Sequence, residues 1–551
     1  MTVGPDVSGR RTSRPNPGSD HADVLVIGAG PSGSVVAHTL ATRGFNVVCL
    51  EQGDWINSGE LPANFPEWEL LVQDRWHHDP NVRRRPADYP IDDSAADLYP
   101  VMLSAVGGTS IYYGAHWHRL LPTDFRARTL DGVGSDWPIS YSELAPYYDQ
   151  IDAFVGVSGL EGDPAIPEDI SFQFAPLPVG KAGLRAAGGM NSLGWHWWPG
   201  SQSIPPQRFG ERPGCARWGT CEWGCPEGAK SSFDLTFWPA ALASGARLVT
   251  GARVRRITTD ATGRATGAEY IDRDGRVHEQ HADVVVLAAN AIGSARLLLL
   301  SESARHREGL GNSSGLVGRN LMLHPNGTVT GYYEDRIESW LGPAGELLYS
   351  LEFYNTRPEH DFVRGSKWNL MPLPGVYSTL ELNSDEPFDS RWADHAHDAL
   401  AFAGKHMLWA VNTEDLPDES NRVTLSTTTV DGDGIPVPKI DYTISENTNK
   451  MLDFNLDRMA EAHDAAGAKR LFTKRLWLDQ PGHLMGTARM GDDPRTSVTN
   501  RFGRLHDVDN VYVVDGSLFV TSGAMNPTAT ITALALRTAL HIAANSSGAR
   551  A

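Results

Sequence analysis

Apolar residues near the start of the chain fall into two short runs separated by a helical pattern. Val24 to Ile27 form one uninterrupted hydrophobic run, and Val47 to Leu50 form another. Short continuous runs of this kind predict strands that are buried on both faces, as in a parallel sheet. The residues from Ser34 to Arg43 predict a helix, so the segment as a whole predicts a strand–helix–strand unit.

Later segments repeat parts of this pattern. Residues 284–287 form another apolar run, which is followed by small residues and a predicted helix. Near the C-terminal end a predicted strand precedes Asp515, and a long apolar helix is predicted from about Thr528. Between these pieces, "ARLVTGARVRRI" (246–257) predicts part of a β-meander, and the alternation within residues 420–445 predicts further strands.

The length of the chain and the order of these pieces predict more than one domain. A chain of 551 residues exceeds what a single hydrophobic core usually holds. Pieces of a nucleotide fold lie at the start, middle and end, so we predict a discontinuous dinucleotide-binding domain whose insertions build a substrate domain. The first domain is predicted to comprise residues 21–160, 215–325 and 480–551. The substrate domain is predicted to comprise 161–214 and 326–479, and residues 1–20 a disordered leader.

The charge balance and composition of the chain limit the kinds of partner and location that we expect for it. The chain has 48 Lys and Arg against 67 Asp and Glu, a net charge of −19. This balance disfavours nucleic acids as partners because they require clustered cations. No segment approaches the roughly 20 apolar residues that a membrane-spanning helix requires. Only four cysteines occur, too few for a disulfide scaffold, so a cytoplasmic location is expected.

The turn after the first strand contains G-x-G-x-x-G at Gly28, Gly30 and Gly33. The first glycine permits a tight turn, the second lets the backbone approach a pyrophosphate, and the third lets the helix pack closely on the strand. The helix N-terminus supplies free N–H groups for phosphates. Glu51, at the end of the second strand, can accept hydrogen bonds from ribose hydroxyls. The pattern predicts a dinucleotide without distinguishing FAD from NAD.

Collinear motifs extend this interpretation over nearly the whole chain. They include "VIGAGPSG", "VGGTSIYYGAHWHRL", "CEWGCPEGAKSSFD", "AANAIGSARLLLLS", "LVGRNLMLHP", "HLMGTARMG" and "MNPTATITALALR". In these motifs the chain resembles the glucose–methanol–choline (GMC) flavoprotein oxidoreductases, and among them the bacterial pyranose and C-glycoside oxidases and the FAD-dependent sugar dehydrogenases. The resemblance implies an α/β fold: a doubly wound parallel-sheet FAD-binding domain, with an α+β substrate domain on an antiparallel sheet.

The resemblance also implies which residues surround FAD. Those expected are Gly28, Gly30, Pro31, Ser32, Gly33, Glu51, Gln52, Gly107, Gly108, Thr109, Ser110, Gly114, Val254, Ala289, Asp515, Gly516, Pro527 and Thr528. Some pyranose oxidases of this family carry FAD covalently on a histidine four residues after the glycine pair, where this chain has Tyr112. We therefore expect non-covalent FAD, and we expect His116 and His118 to be structural or pocket-wall residues.

By the same resemblance, His483 in "HLMGT" and Asn526 in "MNPT" face the reactive edge of the flavin. Oxidation of a secondary alcohol removes the hydroxyl proton while a hydride leaves carbon for flavin N5. A neutral imidazole is a competent base near neutral pH, and an amide can donate a hydrogen bond that orients the same hydroxyl. We expect His483 to be the base and Asn526 to position the substrate.

Cys215, Cys221 and Cys225 leave two interpretations open. Their C-x5-C-x3-C spacing is similar to the motif that holds a [3Fe–4S] cluster in some bacterial FAD glucose dehydrogenases, and thiolates are the ligands of such clusters. Small buried cysteines beside a flavin loop are also ordinary packing residues. A cluster would indicate a dehydrogenase that passes electrons to a partner protein, whereas its absence favours an oxidase or a quinone-reducing enzyme.

Other aromatic and histidine-bearing segments receive structural interpretations. The run "GWHWWPG" (194–200) could stack on a sugar, but a packing anchor is favoured because tryptophan is highly buried on average. The histidines of "DHAHD" (394–398), and His324 in "LMLHP", are interpreted as surface residues.

Together these features predict an FAD-dependent enzyme that oxidises a C2 or C3 hydroxyl of a pyranose sugar or glycoside to a ketone. O2 or a quinone would reoxidise the flavin. The catalytic subunit of an iron–sulfur sugar dehydrogenase is a second hypothesis, and a flavin-containing lyase of the same family is a third. The sequence leaves the sugar and the oligomeric state open.

Overall fold

A computed structural model describes residues 21–373, 375, 401, 403–478 and 482–546. The expected leader at 1–20 and the histidines of 394–398 lie outside the described residues. The strands are β1 (His21–Ile27), β2 (Val47–Glu51), β3 (Asp92–Ala96), β4 (Trp198–Pro199), β5 (Arg247–Thr250), β6 (Arg253–Thr259), β7 (Ala265–Ile271), β8 (Val277–Leu287), β9 (Asn326–Tyr332), β10 (Leu348–Ser350), β11 (Ser366–Met371), β12 (His406–Thr413), β13 (Arg422–Val430), β14 (Pro436–Tyr442), β15 (Arg470–Lys474) and β16 (Val511–Val513).

Helices connect these strands and cover the sheets. They are α1 (Pro31–Ala41), α2 (Trp68–Leu71), α3 (Pro80–Arg83), α4 (Ala127–Asp131), α5 (Tyr141–Val155), α6 (Gly180–Leu193), α7 (Phe237–Ala243), α8 (Asn290–Leu300), α9 (Glu446–Ala465) and α10 (Thr528–Ser546). Within the described ranges, none of them is both long enough and apolar enough to span a membrane.

The main sheet joins segments from the beginning, middle and end of the chain. Its order is β5-β2-β1-β8-β7-β6, and β16 pairs with the C-terminal part of β8. Strands β5, β2, β1, β8 and β16 run parallel, and α1 packs against α7 and α10. The strands predicted at 24–27, 47–50 and 284–287 are confirmed. The predicted α/β fold with a parallel main sheet is therefore also confirmed.

One prediction for this sheet is confirmed only in part. Residues 246–257 are predicted to lie in a β-meander, but β5 pairs in parallel with β2, with Val48 opposite Arg247. Strand β5 follows α7, so it completes another helix–strand crossover of the parallel sheet. Only β6 joins a meander, next to β7 and β8. Strands β5 and β6 are neighbours in sequence but lie at opposite ends of the strand order. Local periodicity cannot show this separation.

The second sheet is antiparallel, as expected, with the order β15-β9-β12-β11-β10-β4. Helices α6 and α9 pack on it and share a core with Trp368, Trp409 and Met459. Trp195 and Trp197 of the aromatic run pack against this core. No residue of 194–200 lines the cavity described below. The packing interpretation of that run is therefore confirmed.

A third, small sheet contains strands from both predicted domains. Its order is β13-β14-β3, and β3 pairs in parallel with β14. Strands β13 and β14 confirm the strands predicted within 420–445. Because β3 lies in the first predicted domain and β14 in the second, strand pairing crosses the predicted boundary. The domain limits at residues 160 and 326 stay a prediction.

Asp415 ties together the segment that precedes His324 and the segment that precedes Asn526. Its Oδ2 accepts hydrogen bonds from the Leu323 amide at 3.0 Å and the Tyr442 hydroxyl at 2.8 Å. Its carbonyl oxygen accepts from the Ser522 hydroxyl at 2.8 Å. Burial raises the pKa of Asp415 to about 7. The carboxyl group therefore binds its proton more tightly in the folded than in the unfolded chain.

Replacing Asp415 with asparagine is expected to flatten the pH dependence of stability. A raised folded-state pKa gives a contribution that is fully present below about pH 4 and is lost as pH rises through about 7. Urea unfolding between these pH values should show the free energy of unfolding falling more steeply in the wild type than in Asp415→Asn, by a few kcal/mol. Identical slopes would show that Asp415 titrates normally in the folded protein.

Candidate active site

One continuous cavity runs from the C-terminal ends of β1 and β2 to the antiparallel sheet. Its wall includes the start of α1, the 3-10 turn Gly108–Ile111, the start of α8, and residues of β9, β11 and β12. Residues 482–484, 515–516 and 526–528 close its far side. The cavity therefore lies where the main sheet, the antiparallel sheet and the C-terminal segments meet.

Nearly all of the residues predicted from the sequence line this cavity. Those present are Gly28, Gly30, Pro31, Ser32, Glu51, Gln52, Gly108, Thr109, Ser110, Gly114, Val254, Ala289, His483, Asp515, Gly516, Asn526, Pro527 and Thr528. Gly33 and Gly107 do not line it. A Cβ atom on Gly33 would lie 2.0 Å from the Gly28 carbonyl oxygen, and Gly107 has φ +95°. The backbone geometry at these two positions requires glycine, although neither residue lines the cavity.

The turn between β1 and α1 has the shape that a bound pyrophosphate needs. Gly28 adopts φ +103°, and Gly30 is the N-cap of α1, where no side chain caps the helix. A Cβ atom on Gly30 would meet nothing within 4 Å, so open space faces the free N–H groups of the helix. These N–H groups can bind phosphate oxygens. The residues of this turn thus fit a dinucleotide.

Glu51 lies beside the turn with its carboxylate directed into the same region. Its oxygens accept hydrogen bonds from the Ala29 amide at 2.7 Å and the Gly53 amide at 2.8 Å. Burial raises the pKa of Glu51 to about 7, although both amides act against that shift. A buried carboxylate at the end of β2 can still accept from ribose hydroxyls, so it also fits the nucleotide half of FAD.

Lys230 holds the glycine-rich loop that forms the middle of the cavity. Its Nζ donates to the carbonyl oxygens of Ile111 at 2.7 Å, Tyr113 at 2.9 Å and Cys221 at 2.6 Å. Burial lowers the pKa of Lys230 to about 8, yet three carbonyl acceptors match the three N–H groups of an ammonium. Tyr112, the fourth residue after Gly108, lines the cavity from this loop.

Replacing Lys230 with methionine is expected to loosen this loop. The side chain keeps similar length, but three buried carbonyl groups lose their charged donor, which should cost on the order of 3 kcal/mol of stability. We expect a lower melting temperature and faster release of FAD, followed by the fluorescence of free flavin. Lys450→Met on the exposed surface of α9 is the matched control. Equal FAD release in both variants would contradict a role for Lys230 in the loop.

The three clustered cysteines lie outside the cavity wall. Cys215, Cys221 and Cys225 are free thiols that pack in a small apolar cluster with Ile204 and Ala344. Burial raises the pKa of Cys221 to about 12, as expected for a thiol in apolar surroundings. Among the described residues no group of three or more His, Cys, Asp or Glu side chains is arranged to hold a metal. The packing interpretation therefore accounts for them.

Backbone pairing places His483 opposite a second histidine. Met322 and Met485 exchange two hydrogen bonds, at 2.9 and 3.1 Å, as an antiparallel bridge. The same register puts His324 across from His483, because each lies two residues from the bridge. Their Nδ1 atoms are 2.9 Å apart, and His324 is fully buried. The interpretation of His324 as a surface residue is therefore wrong: the bridge pairs two segments that are distant in sequence.

The imidazole of His483 also meets the amide of Asn526. Asn526 Nδ2 lies 3.3 Å from His483 Nε2, and both residues line the cavity. Burial lowers the pKa of His483 well below its ordinary value, and His324, His116 and Lys367 lower it further. His483 is therefore a neutral base throughout the physiological pH range. This pair can accept a proton from a hydroxyl group while holding its oxygen.

The antiparallel sheet supplies a wall of the cavity that the sequence motifs do not predict. Asn326, Asn369 and Asn412 come from three adjacent strands and line the cavity with Met371 and Ala410. In β11 the residues facing the cavity alternate with buried apolar ones such as those in the core under α6 and α9. The alternation in "SKWNLM" is the sequence feature that indicates a strand with one face toward the core and one toward the cavity. Amide groups on this wall can hydrogen-bond to substrate hydroxyls.

His116 and His118 lie at the edge of this wall. His116 lines the cavity, whereas His118 does not. His118 Nε2 is 2.6 Å from Glu346 Oε1, and His116 Nδ1 is 3.3 Å from Glu346 Oε2. The two histidines therefore serve as pocket wall and structural support, as expected from the sequence, and both contact the same buried carboxylate.

A parallel sheet with a glycine turn, and a cavity leading from that turn to a buried imidazole–amide pair, define a dinucleotide-dependent oxidoreductase. The chain matches the family described as GMC oxidoreductase over residues 23–326 and 417–535. It belongs to the GMC oxidoreductase family. Membership makes it a flavoprotein that acts on CH–OH groups and implies FAD as its cofactor.

Known proteins similar to this chain agree with that assignment. It is 41% identical to 2-methyl-1,2-propanediol dehydrogenase of Mycolicibacterium austroafricanum, over 94% of each chain. It is 33% identical to 6'''-hydroxyparomomycin C oxidase of Streptomyces lividus, over 96% of this chain and 92% of that one. The solved structure of a formate oxidase from Aspergillus oryzae has a TM-score of 0.65 at 15% identity, covering 96% of this chain and 99% of that one, and so shares the fold.

Proposed function

We propose that this protein is an FAD-dependent oxidoreductase that oxidises a CH–OH group of a small polyhydroxylated molecule, with vicinal diols as the leading substrate class. The observation that carries the proposal is the buried His483–Asn526 pair in the cavity that begins at the dinucleotide turn. Oxidation at C2 or C3 of a pyranose is a narrower form of this activity, because a sugar ring is itself a series of vicinal diols.

The geometry of the pair supports proton removal from an alcohol. When bound, FAD supplies the two-electron acceptor for the hydride that leaves the substrate carbon. An incoming hydroxyl group can replace the 3.3 Å contact between Asn526 and His483 with two hydrogen bonds, donating to His483 Nε2 and accepting from the Asn526 amide. As the hydride leaves, the hydroxyl proton passes to Nε2. The product is the carbonyl compound, and His483 carries the proton.

The wall facing this pair supports a substrate with several hydroxyl groups. Asn412 lies opposite Asn326 in the register of β12 and β9, and its amide is 3.5 Å from Asn526 Oδ1. These amides can bind a second hydroxyl next to the one that reacts. Met371 and Ala410 give the same wall an apolar part that suits carbon substituents. The similarity to a diol dehydrogenase at 41% identity supports the same class.

The test is anaerobic mixing of the FAD-loaded protein with matched alcohols. We expect 2-methyl-1,2-propanediol to bleach the flavin absorbance. Isobutanol, which has the same carbon skeleton without the second hydroxyl, should react about 10- to 100-fold less efficiently, because it leaves buried amides unpaired. Pyranose sugars form the third group. Admitting O2, or adding a quinone under nitrogen, then shows which acceptor restores the yellow colour.

Each result decides between the hypotheses. Selective bleaching by the diol supports the proposal, and selective bleaching by pyranoses would favour the sugar-specific form predicted from the sequence. Equal reaction of the diol and isobutanol would contradict recognition of a second hydroxyl. A flavin that stays yellow with every alcohol would favour a lyase. A cytoplasmic location and reoxidation by O2 or a quinone stay predictions.

A further inference from the structure

A buried ion pair lies directly behind Asn526. Lys367 projects from β11, is completely buried, and does not line the cavity. Its Nζ contacts the carboxylate of Glu346 and Oδ1 of Asn369, and it lies 3.2 Å from Asn526 Oδ1. The proposed proton transfer from substrate to His483 does not itself require a cation at this position. The contacts of Lys367 therefore indicate a separate role for this side chain.

The surroundings of Lys367 require the charged form of its side chain. Three oxygen acceptors face Nζ, which matches the three N–H groups of an ammonium. Burial alone would raise the pKa of Glu346, but His118 and Lys367 hold that pKa well below its ordinary value. Glu346 is therefore ionised, and its negative charge stabilises the ammonium group beside it.

This ammonium determines which way the amide of Asn526 points. An ammonium has only donors, so the atom of Asn526 that faces it must be the oxygen. Asn412 Nδ2, at 3.5 Å, also faces that oxygen. A reversed amide would direct N–H groups at a buried cation and would lose both contacts. The amide nitrogen of Asn526 is consequently held toward His483 Nε2.

The orientation of Asn526 in turn determines where His483 carries its hydrogen. Because Asn526 Nδ2 donates, His483 Nε2 must present its lone pair. The hydrogen of the neutral imidazole then lies on Nδ1, which donates to His324 Nδ1 at 2.9 Å. A base needs its lone pair on the atom that faces the substrate, and here that atom is Nε2, beside Asn526.

We propose that Lys367 is a positioning residue that fixes the amide of Asn526 and, through it, the tautomer of His483 that can act as a base. The inference rests on the proposed function, because it concerns the base of that reaction. Lys367 acts through Asn526 without touching the substrate, and Glu346, supported by His116 and His118, keeps its charge balanced.

The charge of Lys367 also affects the proton affinity of His483. The titratable groups that face His483 are His324, His116 and Lys367, all of which lower its pKa in addition to burial. Removing the ammonium group should raise the pKa of His483. The acidic limb of the pH–rate profile would then move to higher pH, which a purely structural defect would not cause.

The first test is Lys367→Met in the FAD-loaded protein, with flavin reduction by the best substrate of the alcohol panel measured across pH. We expect retained FAD, a rate lowered by about 10²-fold, and an acidic limb at higher pH. Nitrogen-15 NMR of histidine-labelled protein gives a readout independent of turnover. Comparison with His483→Gln identifies the signal of this residue among the 19 histidines. The wild type should show hydrogen on Nδ1, and Lys367→Met a mixture of tautomers.

The second test is a double-mutant cycle with Asn526→Ala. If Lys367 acts through Asn526, then Lys367→Met should change the rate by no more than about 2-fold once Asn526 is absent. Trp368→Phe is the matched control, because Trp368 is the next residue of β11 and donates to Asn455 in the core on the other face. It should lower stability while leaving the acidic limb in place.

A charge-balanced variant covers the case in which Lys367→Met does not fold. Lys367→Met combined with Glu346→Gln leaves no unpaired charge, and it should show the same slow reduction and mixed tautomers. A wild-type rate and pH limb in either variant, multiplicative effects in the cycle, or an unchanged His483 tautomer would overturn the inference. A normal rate in His483→Ala would instead overturn the proposed function itself, so the two failures are distinguishable.

Discussion

Replacing His483 with alanine is expected to slow flavin reduction by about 10²- to 10⁴-fold, the usual contribution of a general base. The variant removes the acceptor of the hydroxyl proton and leaves Asn526 without its 3.3 Å partner. FAD should stay bound, because His483 contacts His324 and Asn526 and makes no hydrogen bond to the glycine turn. Anaerobic stopped-flow mixing with the diol, together with the flavin-to-protein absorbance ratio, measures both quantities.

The pH dependence of the same reaction adds a second expectation. Burial and three neighbouring groups keep the pKa of His483 well below 6.5, so the wild-type rate should hold as pH falls through that value. His278→Ala is the matched control, since His278 is a partly exposed residue of β8 that pairs with Asp272. A near-normal rate in His483→Ala would remove this residue from the mechanism.

Gly33→Ala is expected to abolish FAD binding and to lower the stability of the apoprotein. The new Cβ would lie 2.0 Å from the Gly28 carbonyl oxygen and 3.2 Å from the Ala288 side chain. Since a backbone oxygen cannot move aside alone, α1 must shift away from β1 and distort the phosphate-binding turn. Purified protein should be colourless, and its melting temperature should fall by several degrees. A yellow protein of wild-type stability would show that the contact relaxes cheaply.

Substitutions at two other glycines distinguish an effect on FAD binding from an effect on stability. Gly188 in α6 has open space around its Cβ position, so Gly188→Ala adds the same methyl group to a helix and should be neutral or slightly stabilising. Gly30 also has open space, but it faces the cavity. Gly30→Ala should leave the apoprotein as stable as the wild type and weaken FAD binding, because only the bound pyrophosphate would meet the methyl group.

The parallel sheet was predictable because its strands are continuous apolar runs next to a glycine turn. Val24 to Ile27 pair with Val47 to Leu50 and with Val284 to Leu287 in register, and each run is visible in the sequence. Strand β5 was misplaced because a four-residue strand carries too little periodicity to show its partner. A strand was therefore predictable wherever the apolar pattern of its own segment is enough to indicate it.

The site was predictable only to the extent that motifs name its residues. Glycine turns and the "HLMGT" and "MNPT" segments led to residues that the structure brings into one cavity. His324 is wrongly interpreted from the sequence, and Lys367 is not predicted, because their roles come from pairing between distant segments. His324 meets His483 through the bridge of Met322 with Met485, and Lys367 in β11 reaches Asn526 in the segment before α10. Such contacts follow from long-range register, which residue type alone does not reveal.

Strand β8 has a consequence for biosynthesis. It pairs with β1 along one edge and receives β16 on the other, yet β16 is made long after both. Until Val511–Val513 leaves the ribosome, part of β8 keeps unpaired N–H and C=O groups, which invite association with other nascent chains. Because α10 also packs on α1, the apolar surface of α1 stays uncovered in the nascent chain until α10 has been made. We therefore expect the parallel sheet to close only after residues 511–546 have been made.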